Sequence, residues 1–244
     1  MIIQFYADSL GLTRPGYVEL NERYIFLFEQ WLRKHYDEEI FVINRARGAQ
    51  TIDKLYTLFK EDQDYMRGSK DILIIHEGVC DCAPRPIPLW ARKIISALPT
   101  FMRSRIIKLI HDNRAKLLRN GFVHFLVDKG KYEAILKEWL TSALPVFSRI
   151  YVLNIAPTIE SIESHSPGFS KSIKEYNAII RNVISEIDSK KIFLIDAYNI
   201  LSKNSNSLET LITPDDGHHL TKKAHEIYAA ELIALEKQFV KISA

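Results

Sequence analysis

Residues 2–11 read Ile2-Ile3-Gln4-Phe5-Tyr6-Ala7-Asp8-Ser9-Leu10-Gly11, an apolar run that stops at Asp, Ser and Gly. The run Ile2–Tyr6 is nearly continuous in large apolar side chains instead of alternating with polar ones. A β-strand covered on both faces has this composition. Asp, Ser and Gly favour the turn that ends such a strand. Similar runs recur at Ile40–Asn44, Ile72–His76, Arg149–Ala156 and Lys191–Ala197. Between them lie amphipathic stretches at Tyr17–Tyr36, Thr51–Asp62, Arg103–Arg119, Tyr132–Phe147 and Phe169–Asp188, with a last one over Lys222–Val240. Strand–helix alternation predicts an α/β protein: a three-layer α/β/α sandwich around a mostly parallel sheet of about five strands.

The 244 residues suffice for one such domain, and no composition shift marks a second. A long segment, 77–148, separates the third and fourth runs. It carries Pro84, Pro86, Pro88 and Pro99 and then two helical stretches, a helical insertion within a single domain over 1–244. Hydrophobic residues make up 47 % and charged residues 26 % of the chain, ordinary values for a globular protein. A net charge of +3, from 33 basic and 30 acidic residues, is too small to predict nucleic-acid binding. Cys80 and Cys82 are the only cysteines and stand too close to pair, so no disulfide framework exists. The first residues lack a signal-peptide pattern and no stretch approaches a membrane span of about 20 residues. The expectation is a cytoplasmic protein with a small-molecule or carbohydrate partner, without nucleic acid and without an integral membrane segment.

Open parallel sheets bind ligands at the carboxyl ends of their strands. The first run leads into Asp8-Ser9-Leu10-Gly11 and the second into Arg47-Gly48-Ala49-Gln50-Thr51. The third leads into Glu77-Gly78-Val79-Cys80-Asp81-Cys82, and Asp215-Asp216-Gly217-His218-His219-Leu220 precedes the last helix. A serine, a histidine and a carboxylate on one rim make a set for acyl transfer. The serine hydroxyl needs a base, and the imidazole needs a carboxylate to hold its tautomer. The i,i+3 spacing lets Asp216 reach His219. The amides of Ser9 and Gly48 are candidate oxyanion donors. Arg47 and Arg85, with Asp8 and Asp81, are weaker candidates for lining a substrate site. Taken alone, Asp-Ser-Leu reads as an ordinary turn; the three loops together favour catalysis.

Ala7-Asp8-Ser9-Leu10 resembles the Gly-Asp-Ser-Leu signature of SGNH (GDSL-like) hydrolases. Gly48 is similar to the oxyanion glycine of their second block, and Asp216-Gly217-His218-His219-Leu220 to their C-terminal Asp-x-x-His block. The resemblance extends over nearly the whole chain. It implies the flavodoxin-like α/β/α fold, a carboxylic ester hydrolase with Ser9, Asp216 and His219 as catalytic residues, and no cofactor. It also selects Asp216–His219 over Asp215–His218, because the family places a leucine after the histidine. The third block departs: Gly78-Val79-Cys80-Asp81 puts Cys80 where the family carries an oxyanion asparagine. A thiol is a poor donor, and losing such a donor commonly costs about 10²–10³ in rate.

Ester hydrolysis, with an acyl-enzyme on Ser9 and small esters on a carbohydrate as substrate, is the leading expectation. O-acyl transfer to a sugar during surface-polysaccharide synthesis is an alternative, as is an inactive binding module of the same fold. The Asp-Asp-Gly-His-His cluster is also a metal-binding candidate, but tight sites take three or four ligands and no metal is expected. Arg103–Arg119 carries six basic residues; a helix resting on an anionic membrane surface or receiving an anionic substrate is the functional reading, and a core-packed helix with a solvated basic face is the preferred one. His35, His76, His111, His124, His165 and His225 are read as structural or surface residues.

Overall fold

In a computed structural model, which describes residues 1–65, 70–203 and 208–240, the five apolar runs form one sheet. The strands are β1 Ile2–Ala7, β2 Phe41–Asn44, β3 Lys70–His76, β4 Phe147–Leu153 and β5 Ile192–Ile195. Their order is β2-β1-β3-β4-β5 and every pairing is parallel. The helices are α1 Tyr24–His35, α2 Ile52–Tyr65, α3 Val79–Cys82, α4 Leu89–Ala97, α5 Thr100–Asp112, α6 Arg114–Arg119, α7 Lys129–Ala143, α8 Ser161–His165, α9 Phe169–Ile187, α10 Ala197–Lys203 and α11 Lys222–Glu236.

Side chains that alternate along β1 enter opposite layers, as strand geometry requires. Phe5 meets Tyr24 of α1 edge-on, and Tyr24 in turn meets Tyr228 of α11. Tyr6 points the other way, onto Phe59 of α2 and Trp139 of α7. α1 packs on α11, while α7 packs on both α2 and α9. Both faces of the sheet are thus covered, which explains the unbroken apolar composition of its strands. Burying this apolar surface is the main stabilising contribution, at about 25 cal/mol per Å².

Segment 77–148 is less uniform than its sequence suggests. α7 belongs to the core, with Tyr132, Leu136, Trp139, Leu140 and Ala143 buried. α4 and α5 bury no residue, and α6 buries only Leu118. The expected core-packed helix over Arg103–Arg119 is therefore corrected on two counts. It breaks at Asn113 into α5 and α6, and Leu118 is its one buried apolar side chain. α4, absent from the sequence reading, is bracketed by Pro88 and Pro99, which stand at the first caps of α4 and α5. The fixed φ of proline suits a helix start.

Candidate active site

The carboxyl ends of β1, β2 and β3 and the loop before α11 meet on one rim. After β1 the chain enters a short 3₁₀ turn, Ser9–Gly11. Its cap is Asp8, whose carboxylate accepts from the Leu10 amide at 2.9 Å. The turn lifts the Ser9 side chain out of the sheet. The loop before α11 is held by Thr213, whose amide donates to the His219 carbonyl and whose carbonyl accepts from the Gly217 amide. Gly217 has φ +74°, and a Cβ there would come within 3.2 Å of Ile159 and Ile162. Only glycine fits this turn without strain.

The turn brings Asp216 and His219 onto Ser9, 210 residues away. His219 Nδ1 lies 2.6 Å from Asp216 Oδ2, and His219 Nε2 lies 2.9 Å from Ser9 Oγ. A carboxylate on Nδ1 fixes the proton there, so Nε2 is free to accept from the serine hydroxyl. The side chains of Asp216 and His219 are 20 % and 16 % exposed, enough for a substrate to reach them. Asp216 Oδ1 also accepts from Thr213 Oγ1 at 2.8 Å and from the His218 and His219 amides at 3.1 Å. Burial alone would raise the Asp216 pKa. The hydrogen bonds from the His219 side chain, Thr213 and the backbone amides, with nearby positive charge, hold it instead well below the usual carboxylate range.

The alternative register is spent elsewhere. Asp215 takes an ion pair from Arg14 at 2.7 Å, and His218 Nδ1 lies 3.0 Å from the Asp216 carbonyl. Arg14 also pairs with Asp216 itself. Sequence reasoning missed both Arg14 and Thr213; Thr213, three residues before Asp216, had a local spacing signal, whereas Arg14 had none.

Among the described residues, neither the Ser9 nor the Gly48 amide has a hydrogen-bond partner. The next residue, Ala49, has φ +56°, a conformation that costs a non-glycine residue of order 1 kcal/mol. Gly78 (φ +116°) begins α3, where a Cβ would strike Ile155 at 2.8 Å. α3 carries Cys80, half-buried, its thiol pushed up to about 12 by burial and the neighbouring carboxylates. At neutral pH it is a neutral, weak donor.

Two of the expected substrate contacts turn out to be scaffold. Asp8 is fully buried and accepts from the Leu10 and Val79 amides. Asp81 is also fully buried and accepts from the Ile52 amide, capping α2. Burial raises Asp8 to about 6 and Asp81 to about 7, the latter beside the equally buried Glu77. Arg47 is exposed on the loop after β2. Arg85 lines a cleft of about 740 Å³ whose wall includes Ala49. The donor atoms of Asp216, His218 and His219 all lie within 4.8 Å of one another and are the one such metal-capable group among the described residues. Both nitrogens of His219 are already engaged by Asp216 and Ser9.

No protein-family model matches the chain, and no curated protein is similar to it in sequence. Solved structures are similar in fold. An acetylxylan esterase from Geobacillus stearothermophilus superposes with a TM-score of 0.61 at 17 % identity, covering 96 % of this chain and 92 % of its own. A lipase/acylhydrolase from Enterococcus faecalis gives 0.62 at 15 %, covering 100 % and 98 %. A member of the lipolytic G-D-S-L family from Veillonella parvula gives 0.61 at 11 %, covering 97 % and 98 %. The chain therefore has the α/β/α fold of SGNH/GDSL-like hydrolases. Among the described residues no helix is long and apolar enough to cross a membrane.

Proposed function

We propose that this protein is a serine hydrolase of carboxylic esters. The observation that carries the reading is the unbroken relay Ser9 Oγ to His219 Nε2, and His219 Nδ1 to Asp216. As the Ser9 oxygen bonds to the ester carbonyl carbon, its proton passes to Nε2. The oxyanion is stabilised by the free amides of Ser9 and Gly48, with the Cys80 thiol in the third place. Collapse breaks the bond to the alcohol, which leaves with the proton from Nε2. Water then attacks the acyl-enzyme by the same path in reverse, releasing the acid and restoring the Ser9 hydroxyl. Asp216 holds the imidazole in the active tautomer and stabilises its protonated form.

The similar folds support this chemistry by name, since they include an esterase and a lipase/acylhydrolase. Catalytic mutants of that acetylxylan esterase replace a serine, an aspartate or a histidine by alanine, the same three residue types. Small acyl esters of carbohydrates are the substrate this analogy favours. The test is p-nitrophenyl acetate turnover by wild type and Ser9→Ala. The expected loss is about 10⁴-fold or more; equal rates would remove Ser9 from the reaction. Carrying out the turnover with candidate sugars present separates hydrolysis, which yields free acid, from transfer, which yields an acylated sugar.

A further inference from the structure

Segment 83–127 holds nine Lys and Arg residues against one acidic residue, Asp112. Its net charge is thus +8, while the rest of the chain carries −5. The overall +3 conceals this division. The cleft of about 740 Å³ formed between α4, α5 and the proline-rich loop before them collects much of the charge. Lys54, Arg85, Arg92, Lys93, Arg103 and Arg114 line it together with His111, and no carboxylate does. Among the described residues none of these six cations forms an ion pair, although His111 lies 3.6 Å from Asp112.

Two of the arginines are partly withdrawn from water. Arg85 Nε is buried without a hydrogen-bond partner. Arg114 is held in place by the Pro84 carbonyl at 2.6 Å and Ser166 Oγ at 2.8 Å. Burial lowers the pKa of both, and Arg92 adds repulsion at Arg85. Like charges gathered without counter-charge destabilise the fold unless an anion joins them. Apolar side chains of Leu89, Ile95, Ile107, Ile110 and Leu126 form the remaining walls. A cleft of this kind suits a compact, multiply charged oxyanion, which arginine binds in a bidentate manner. It also adjoins the reaction site. Ala49, which lines the cleft, follows Gly48 directly.

We propose that this cleft binds a phosphate-bearing portion of the ester substrate, one carrying at least two phosphate charges or a cluster of phosphate headgroups. The assignment of the cleft to a substrate rests on the hydrolase reading above; its capacity to bind phosphate does not. The cleft selects the molecule by its anionic part while the Ser9 rim acts on the ester, whatever the acyl group.

Inorganic pyrophosphate is the probe. Full-length Ser9→Ala is titrated calorimetrically at low salt, so that catalysis plays no part. One site is expected. The double substitution Arg92→Ala/Arg103→Ala, on helices that bury no residue, weakens it about 10- to 100-fold. Arg85→Met weakens it similarly, with circular dichroism confirming the fold. Arg92→Ala/Arg103→Ala in the Ser9 enzyme leaves p-nitrophenyl acetate turnover unchanged. Phosphatidylcholine vesicles with and without phosphatidylglycerol separate a free phosphate ligand from a lipid headgroup. Vesicle binding that pyrophosphate displaces assigns the phosphate to lipid, and pyrophosphate binding without vesicle binding assigns it to a soluble molecule. Absence of pyrophosphate binding, or binding that survives the arginine substitutions, overturns the proposal. That outcome leaves Ser9-dependent turnover untouched, just as Ser9-independent turnover would sink the hydrolase reading and leave pyrophosphate binding in place.

Discussion

At the carboxyl rim of the sheet the charged groups around Ser9 are partnered; in the hairpin of α4 and α5 most are not. Asp216 is met by His219, Thr213, two backbone amides and Arg14. Asp8 and Asp81 each accept from backbone amides. In segment 83–127, by contrast, Arg92, Lys93 and Arg103 have no carboxylate partner among the described residues. The same segment carries nine of the twelve large hydrophobic side chains that are exposed among the described residues, Trp90 at 66 % and Leu109 at 64 % among them. Hydrogen bonds made within the fold fix positions; charges left unmade remain available to something from solution. On the two proposals above, the rim carries the chemistry and the hairpin the contact, so substitutions at the first should alter turnover or stability and at the second only what is bound.

The largest effect that would break this contrast is at Asp216. Asp216→Asn keeps the shape of the side chain, but its amide nitrogen facing His219 would push the ring proton to Nε2, where it no longer accepts from Ser9. We expect kcat for p-nitrophenyl acetate to fall about 10³- to 10⁴-fold. A fall of less than tenfold would mean that the observed contact does not orient the base.

The second effect concerns stability. No acid or histidine of segment 83–127 is buried, whereas His76 lies fully buried beneath the rim with its Nε2 unpartnered. Burial lowers its pKa to about 3. An unfolded histidine takes up a proton below about 6.5, so the stability supplied by neutral His76 is lost as pH falls from 6.5 towards 3. Asp8 and Asp81 work in the opposite sense. Their folded pKa values of about 6 and about 7 lie above the unfolded value, so the stability of their protonated forms is lost as pH rises through that range. His76→Gln removes only the first contribution. Between pH 6.5 and 4.5 the variant should therefore lose less stability than wild type, by about 2 kcal/mol in urea unfolding. Parallel losses in the two proteins would show that His76 is protonated in the folded state.

A third effect, about 10- to 100-fold, tests the weakest donor of the rim. Cys80→Asn supplies an amide where the thiol stands, and kcat should rise if that position faces the oxyanion. Unchanged turnover would assign the third donor to another group.

How much of this was written in the chain follows from the range of each signal. The strands were legible because being covered on both faces leaves an unbroken apolar run, and β1 and β2 begin and end within a residue of that expectation. Ser9, Asp216 and His219, whose side chains meet, stand in short motifs at strand and helix ends. The ion pair of Arg14 with Asp215 and Asp216 was not legible, because it joins positions 201 and 202 apart that carry no local mark. The hairpin misled for a different reason. Amphipathic spacing over Arg103–Arg119 reports a helix with an apolar stripe, but periodicity does not say whether the protein itself supplies a surface to cover that stripe. Here it does not. Asp8 and Asp81 misled in the reverse direction: a carboxylate beside a motif looks available until burial and the amides it caps are known.

Arg14 gives the smallest and most discriminating effect, because it lies at the rim yet is bonded like a surface residue. Its side chain is 31 % exposed, and exposed ion pairs contribute about 0–1 kcal/mol. Asp216 would keep Thr213, the two amides and His219 without it. Arg14→Gln should therefore lower kcat only about two- to fivefold and leave KM unchanged, since the residue acts through Asp216 and not on the substrate. Salt separates a charge effect from a packing effect. The Debye length shrinks to about 3 Å at 1 M, so the ratio of wild-type to variant kcat should approach one in 1 M NaCl if the guanidinium acts by its field. A ratio that persists at high salt would mean that Arg14 holds the Asp216 loop by its shape and hydrogen bonds. The boundary of the preorganised rim would then extend outward to include it.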